Sequence, residues 1–336
     1  MRYLHNIASS GRTQIMPRHR NAVGPAGGMI IIGPTGSGKS STLDRFGAYI
    51  GDYARLHTSL CGLPCYWPQI PFIRMTAAGV YTKKQAARQI ATIIGRHLND
   101  SRVISTVERT ADYDNHIAKL LNTYLVGFLI VEDIQLLSRM KNEVKWEILS
   151  FLIRLQENGI IVICVGTILL QTVLEAHRSE TEKLRSLGTI WIRPAGKGNE
   201  TRNLCIKMWQ RQIGEHHVEM PDWLPEETGR FTAGLRRHVP ELFVPLFKKM
   251  ADDKLKKLSR DYFCSLAEVA LSHIAPGVVI MNRAYQGKRV DSDELKKFEE
   301  YIDCDLYKRN VIHRNEVLNR YLKRRASRSK SVTGST

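Results

Sequence analysis

The stretch that decides the fold of this chain is Gly33-Pro34-Thr35-Gly36-Ser37-Gly38-Lys39-Ser40. It follows the apolar run Met29–Ile32 and precedes Ser41-Thr42-Leu43, so the pattern GxxxxGK[ST] stands between a strand and the start of a helix. In that context the glycines let the loop wrap a phosphate chain with its backbone N–H groups. The lysine reaches the β- and γ-phosphates, and the Ser40 hydroxyl holds Mg²⁺. The stretch, with Ser41 after it, therefore predicts a site for a nucleoside triphosphate.

Strand and helix patterns alternate around this loop. The apolar, strand-like runs are Met29–Ile32, Ile70–Met75, Phe128–Val131, Ile160–Val165 and Thr189–Ile192. Continuous apolar strands alternating with helices are typical of a parallel sheet that is covered on both faces. We therefore predict an α/β nucleotide-binding domain over residues 29–195, with a parallel five-stranded sheet flanked by helices. A basic N-terminal extension over residues 1–28 precedes it.

The strand pattern stops after residue 195, and helical patterns replace it. Helices are expected over Asn199–Ile213, Thr232–Met250 and Cys264–Ile274, which together form a smaller helical lid domain at residues 196–275. Residues 276–336 read as a basic helical extension with a flexible tail. From Lys308 onward this segment has nine Lys and Arg and one acidic residue, and it ends in the basic run Lys323–Lys330; binding to DNA or to a partner protein and simple solvation explain it equally well.

The composition limits the partners of the chain. Fifty Lys and Arg against 33 Asp and Glu give a formal net charge of +17 over 336 residues. Such a charge points to a polyanion, most simply nucleic acid, although a basic surface alone would also explain it.

Six scattered cysteines indicate a reduced, cytoplasmic protein, and no apolar run approaches membrane-spanning length. His57, Cys61 and Cys65 lie close together but lack a convincing fourth metal ligand.

The strand Phe128–Val131 ends in two carboxylates, Glu132 and Asp133. The carboxyl end of this strand should lie beside the phosphate loop in a parallel sheet. We expect Glu132 to join Ser40 in holding Mg²⁺ and Asp133 to orient the attacking water. The usual order is Asp before Glu, so the reversal predicts slow turnover. A surface acidic pair at a strand end is the alternative.

Further candidates follow the later strands. Thr167 comes directly after the fourth strand and can bind the attacking water or the γ-phosphate, or simply cap the next helix. Arg185 is the first choice, and Arg178 the second, for an arginine that enters the nucleotide site of a neighbouring subunit. Arg236 or Arg237 can close onto the phosphates. For all four arginines a solvated basic helix face is the alternative.

In this order and context, the set resembles the motifs of the AAA+ ATPases, namely Walker A, Walker B, sensor 1, the arginine finger and sensor 2. The chain is most similar to the TnsC/TniB group of transposition regulators. The similarity rests on Ile31–Gly36, Glu132–Gln135 and Val165–Thr167 and extends over roughly residues 25–275. Origin-recognition and clamp-loader-type proteins share the same skeleton and remain an alternative.

The resemblance implies a function. Proteins of this group bind ATP and Mg²⁺ between adjacent subunits and assemble as homo-oligomeric rings or helical filaments on duplex DNA. They connect a target-selection protein of the TniQ/TnsD kind to the transposase subunits, with slow, regulatory ATP hydrolysis. A motor or remodeller is the main alternative. A small-molecule kinase fits less well with the basic flanks and the edge arginine.

The resemblance also suggests where DNA binds. In related rings the segment after the second strand faces the central channel, and here hydroxyl and amine groups stand at the start of a helix. The expected contacts are Thr82, Lys83 and Lys84, followed more weakly by Arg139, Lys141 and Lys145. An ordinary capped and solvated helix start is the alternative.

Overall fold

The computed structural model describes residues 26–51, 54–60, 63–175, 177–195, 199–213, 219–253, 255, 257–288, 290 and 298–301. They form two compact units. The α/β unit comprises the described residues up to Ile32 together with Gly38–Ile192, and the helical unit comprises Gly33–Ser37 and the described residues from Arg193 onward. The first five residues of the phosphate loop thus pack with the helical unit.

Parallel strands form the centre of the α/β unit. The strands of the whole unit, central or not, are β1 (Gly28–Ile32), β2 (Arg55–Leu60), β3 (Leu63–Gln69), β4 (Phe72–Thr76), β5 (Phe128–Glu132), β6 (Ile161–Gly166) and β7 (Thr189–Trp191). One sheet has the order β4-β5-β6-β1-β7, and its neighbouring strands are parallel. This arrangement confirms the predicted five-stranded parallel sheet, and β1, β5 and β6 are almost entirely buried.

Helices surround this sheet. They are α1 (Lys39–Ile50), α2 (Lys83–Leu98), α3 (Arg102–Glu108), α4 (Tyr113–Thr123), α5 (Asn142–Glu157), α6 (Leu169–Glu175) and α7 (Arg178–Thr181), with 3-10 turns at Ile134–Arg139 and Glu182–Arg185. Thr82 caps α2 as its sequence suggests, because its hydroxyl accepts a hydrogen bond from the Gln85 amide at 3.2 Å. The apolar side of α2 is buried, with Ile90 and Ile94 fully inaccessible.

A short hairpin is an addition that the sequence pattern does not reveal. Strands β2 and β3 pair with each other antiparallel, outside the main sheet. Pro64 and Pro68 lie in β3, and proline is confined to edge strands and bulges because it cannot donate to a ladder. A two-stranded ribbon has only edge strands, which is why it tolerates a sequence that does not read as a strand.

The helical unit contains α8 (Asn199–Ile213), α9 (Leu224–Thr232), α10 (His238–Asp252), α11 (Arg260–Ala270) and α12 (Ala275–Tyr285). Two boundaries differ from the sequence expectation. Helix α10 begins at His238 rather than Thr232, because Ala233 and Gly234 have φ of 47° and 75° and end α9. Helix α11 begins earlier, because the Ser259 hydroxyl caps it by accepting from the Tyr262 amide.

Several sequence expectations lie outside the described residues. They include most of the N-terminal extension, Cys61, Cys304 and the basic run Lys323–Lys330. Within the described ranges, no single helix is long and apolar enough to cross a membrane. Helices α11 and α12 meet that test only as a pair, with a 116° bend between them.

Candidate nucleotide site

The phosphate loop has the backbone that its glycines allow. Gly36 and Gly38 have φ of 79° and 100°, values that L side chains rarely adopt. The Ser37 amide donates to the Pro34 carbonyl at 3.1 Å, and Gly38 is the N-cap of α1. A loop with left-handed residues leading into a helix N-terminus directs amide groups at a bound anion. Lys39 and Ser40 stand in the first turn of that helix.

The two predicted magnesium ligands lie together in the α/β unit. The Ser40 hydroxyl donates a hydrogen bond to Glu132 Oε2 at 3.1 Å. Glu132 is the last residue of β5, and the register pairs it with Thr76 at the end of β4. Hydroxyl and carboxylate oxygens are donors that Mg²⁺ accepts in nucleotide sites. The geometry therefore fits the metal site that the sequence predicts.

Arg74 joins the candidate site, and sequence reasoning missed it. Its guanidinium contacts Glu132 Oε1 and also Asp44 on α1. The hydrogen bond to Glu132 raises the pKa of Arg74 above its usual value, against the opposing effect of burial. The arginine therefore keeps its charge and holds one oxygen of Glu132, while Ser40 holds the other. The available signal was a single charged residue inside the apolar run Ile70–Met75.

Asp133 and Thr167 are joined by a second missed residue, Gln135. The Gln135 amide nitrogen donates to Asp133 Oδ1 at 3.1 Å, and its amide oxygen accepts from the Thr167 backbone N–H at 3.2 Å. Asp133 has φ of 56°, and its other oxygen accepts from Thr76 Oγ1 at 3.4 Å. The buried Thr167 hydroxyl has no partner among the described residues, so it does not cap α6.

The two candidate edge arginines differ in their surroundings. Arg185 ends the 3-10 turn Glu182–Arg185 and is half-buried, and its Nε has no hydrogen-bond partner within the part of the chain that the structure describes. Arg178 is exposed and lies 3.8 Å from Glu182, one turn further along. The Nε of Arg185 is thus buried, whereas the guanidinium of Arg178 stays at the surface.

In the helical unit, two consecutive arginines contact the phosphate loop. Arg236 Nη1 donates to the Ser37 carbonyl at 2.8 Å, and the Arg237 amide donates to the Gly36 carbonyl at 3.0 Å. Arg236 also pairs with Glu200 at 3.2 Å. The start of α10 therefore supports the backbone of the loop directly. The Arg237 side chain turns to Glu241 at 3.3 Å instead of to the loop.

The lysines proposed for DNA binding are not equivalent. Lys83 is half-buried and pairs with Asp114 at 3.2 Å. Lys145 is 8% exposed, and its ammonium donates to Asn142 at 3.2 Å. Both groups already have protein partners. This geometry counts against a phosphate contact at Lys145 and weakens the prediction for Lys83, whereas Lys84 is exposed.

Three other candidates lie on one side of the α/β unit. Thr82 is exposed, and its hydroxyl already caps α2. The exposed residues Arg139 and Lys141 line a cavity of about 390 Å³ together with Tyr81, which is 62% exposed. The structure thus brings the segment before α2 close to the 3-10 turn after β5. A cation-lined, aromatic-edged surface of this kind fits a nucleic-acid backbone.

Comparison with known proteins places the fold. Residues 22–174 match the family model described as an AAA domain. No curated protein matches the sequence. Among solved structures, the Cdc6 protein of Pyrobaculum aerophilum has 13% identity and a TM-score of 0.52, over 93% of this chain and 84% of its own. The domain match and this likeness confirm the predicted P-loop AAA+ fold.

Two further structures are more distant. The Aeropyrum pernix ORC1 protein in complex with DNA has 15% identity and a TM-score of 0.49, over 89% of this chain and 75% of its own. Drosophila ORC bound to DNA has 15% identity and a TM-score of 0.48, over 93% of this chain and 89% of its own.

Proposed function

We propose that this chain, an ATPase with an AAA domain, uses bound ATP to control its own assembly on duplex DNA. The observation that carries the proposal is the polar network at the ends of β5 and β6. There Ser40 meets Glu132, and Gln135 connects Asp133 to the backbone N–H of Thr167, whose buried hydroxyl has no partner among the described residues. These are the groups that an ATP-hydrolysing site needs, and they come from distant parts of the sequence.

Each residue has a defined task in this proposal. The loop amides and Lys39 bind the β- and γ-phosphates, and Ser40 and Glu132 hold Mg²⁺, which neutralises phosphate charge when bound. Asp133 orients the attacking water, and Gln135 keeps the carboxylate in place. Thr167 has a free hydroxyl with which to fix the water or the γ-phosphate. Arg74 competes with the metal for Glu132, which favours slow turnover.

Assembly is the second part of the proposal. Arg185, at the end of the turn Glu182–Arg185, is the residue proposed to complete the site of an adjacent subunit, on the strength of its sequence position and the family resemblance. Arg236 and the Arg237 amide hold the loop from within the helical unit, so filling the loop with phosphate acts directly on the start of α10. ATP binding would then favour the assembled form, and hydrolysis its release.

DNA is the proposed partner because the chain carries a large excess of positive charge. The formal net charge is +17, and the exposed residues Lys84, Arg139 and Lys141 accompany the aromatic Tyr81 in the α/β unit. Contacts of this kind bind the phosphate backbone with little regard to sequence. We therefore expect strong salt dependence and near indifference to base sequence.

The finer proposal, regulation of transposition as in the TnsC/TniB group, rests on the sequence resemblance. In this role the assembled form would connect a TniQ/TnsD-like target selector to the transposase. An origin-recognition or clamp-loader-like role, or a motor, would use the same nucleotide site. A motor requires fast hydrolysis and directional movement, whereas a regulator requires assemblies that persist with a non-hydrolysable analogue.

The test is electron microscopy of the full chain with duplex DNA, with and without a non-hydrolysable ATP analogue. Rings or filaments that need both DNA and the analogue are expected. The Lys39→Ala variant should form none, because its loop lacks the charge that reaches the phosphates. Wild-type particles that stay monomeric in every condition would overturn the assembly proposal. Directional movement along DNA that requires ATP and stops with the analogue would instead identify a motor.

A further inference from the structure

Three potential metal ligands converge in the helical unit, and none of them is among the residues assigned above to magnesium. His238 and Glu241 are one turn apart at the start of α10, and His273 comes from the turn before α12. The His238 Nδ1 lies 2.6 Å from Glu241 Oε2, and the His273 Nε2 lies 3.8 Å from the same oxygen. Ligand atoms of all three residues lie within 4.8 Å of one another.

These separations are close to those of a zinc site. When two donor atoms each bind a tetrahedral zinc ion at about 2.0–2.1 Å, the two donor atoms lie about 3.3 Å from each other. The observed 2.6 Å and 3.8 Å lie on either side of this value. A sub-ångström opening at His238 and a similar closing at His273 would therefore give each imidazole nitrogen the zinc-site separation from the Glu241 oxygen, and all three ligand atoms already lie within 4.8 Å of one another. Changes of that size are within the reach of side-chain rotation.

The surroundings also suit a metal ion. Arg237 Nε donates to Glu241 Oε1 at 3.3 Å, which leaves Oε2 directed at the two imidazoles and orients the carboxylate as an outer-shell partner does. The His238 side chain is 5% exposed and so is held in place, whereas that of His273 is 59% exposed. Solvent therefore reaches one side of the cluster, where a water molecule can complete the coordination.

We propose that His238, Glu241 and His273 bind one divalent transition-metal ion of the zinc class, with water at the remaining position. Two imidazole nitrogens and one carboxylate oxygen form a donor set that zinc favours and that magnesium does not. The ion would connect α10 to the turn before α12. The first ligand directly follows Arg237, whose amide supports the phosphate loop at Gly36, so the metal would stiffen that support.

The test is zinc binding to the full-length, chelator-treated chain without nucleotide, measured by competition with a chromogenic chelator. Cobalt(II) is the spectroscopic probe of the same site. We expect one equivalent of metal, with tetrahedral cobalt absorption and no thiolate charge-transfer band. His273→Asn should weaken binding at least about tenfold, since loss of even an outer-shell partner costs that much. Glu241→Gln should act in the same direction.

The control variant is His97→Asn, which removes an imidazole from α2 in the other unit and should leave metal affinity unchanged. Because His273 is exposed, its replacement should leave the far-ultraviolet circular dichroism and the thermal midpoint of the metal-free chain unaltered. A wild-type stoichiometry far below one would overturn the proposal. So would equal zinc affinity in the wild type, His273→Asn and Glu241→Gln, or a cobalt spectrum dominated by thiolate ligands.

Discussion

At the scale of single residues, the acidic pair after β5 carries the chemistry proposed above. Glu132 is held by Ser40 and Arg74, whereas Asp133 is held by Gln135 and Thr76. The two carboxylates are adjacent in sequence and have separate sets of neighbours. This separation supports the division of labour proposed for them, with Glu132 at the metal and Asp133 at the water.

Replacing Asp133 by Asn should lower the rate of ATP hydrolysis by at least about a hundredfold, because a neutral amide cannot accept a proton or align water as a carboxylate does. ATP affinity should stay close to that of the parent. Asparagine tolerates the left-handed backbone that Asp133 adopts at φ of 56°, so the fold should be retained. Phosphate release and equilibrium binding of an ATP analogue measure the two effects.

The companion variant is Glu132→Gln, which should weaken the dependence of nucleotide binding on Mg²⁺. If Asp133→Asn hydrolysed ATP at the parental rate while Glu132→Gln abolished hydrolysis, the two roles would have to be exchanged.

A second residue-scale prediction concerns Glu227, a buried carboxylate of α9 that contacts Arg230 and Arg260. Burial by itself raises the pKa of Glu227, but the hydrogen bonds and charges of Arg260 and Arg230 outweigh it and lower the pKa below its usual value. Glu227→Gln should reduce the free energy of unfolding by about 1–2 kcal/mol at neutral pH, because both arginine side chains are more than half exposed and solvent screens them.

The pH dependence of this effect has a definite sign. A lowered folded-state pKa means that the stabilisation is complete above the unfolded-state pKa of about 4.3 and is lost as the pH falls through the lower folded-state pKa. Urea unfolding should show that the wild type and Glu227→Gln differ less in unfolding free energy in acid than at pH 7. The exposed neighbour Glu226→Gln should change stability by less than about 0.5 kcal/mol. A difference that grew in acid would contradict the lowered pKa.

At the scale of elements, the start of α10 shows how backbone geometry overrides a helical pattern. The residues before it read as part of one helix, but Gly234 is left-handed and accepts a hydrogen bond from the Ala195 amide at 2.7 Å. The interruption lets Arg236 and Arg237 approach the loop at Gly36 and Ser37. In a continuous helix, Arg236 and Arg237 would not lie against the phosphate loop.

Gly234→Ala should therefore lower the free energy of unfolding by about 3–5 kcal/mol, because the strain of the left-handed backbone adds to the steric overlap of the new Cβ. A Cβ there would lie 2.1 Å from the Ala195 carbonyl oxygen, at a φ of +75°. Gly287→Ala is the matched control in the same unit, since it has a φ of +73° with nothing within 4 Å of the added carbon. It should lose only about 1–2 kcal/mol, the cost of the left-handed backbone.

Urea unfolding followed by circular dichroism measures both variants. Equal losses for Gly234→Ala and Gly287→Ala would mean that the close approach to Ala195 does not hold in solution.

At the scale of the whole molecule, the excess of basic residues should govern the proposed DNA binding. In a plot of log binding affinity against log salt concentration, each DNA phosphate that the protein neutralises makes the slope steeper by about 0.9. Lys84→Gln should reduce that slope by about 1, since Lys84 is exposed. Lys83→Gln is the matched control at the neighbouring position. It should change the slope less, because the Lys83 ammonium already forms an ion pair with Asp114. Fluorescence anisotropy with duplex DNA between 50 and 200 mM salt, about a fourfold span, measures the slopes.

An unchanged slope for Lys84→Gln would remove this residue from the DNA surface. A larger effect for Lys83 than for Lys84 would show that the ion pair with Asp114 opens when DNA binds.

The sequence by itself determined the phosphate loop, the parallel sheet and the acidic pair, because a glycine pattern and continuous apolar runs depend on local backbone and burial preferences. Only the tertiary structure decided the partners of these residues. Arg74 on Glu132, Gln135 between Asp133 and Thr167, Lys145 turned inward, and the imidazoles around Glu241 are side-chain contacts. Most of them join residues of different elements, and the packing of those elements, which no local pattern encodes, fixes their distances.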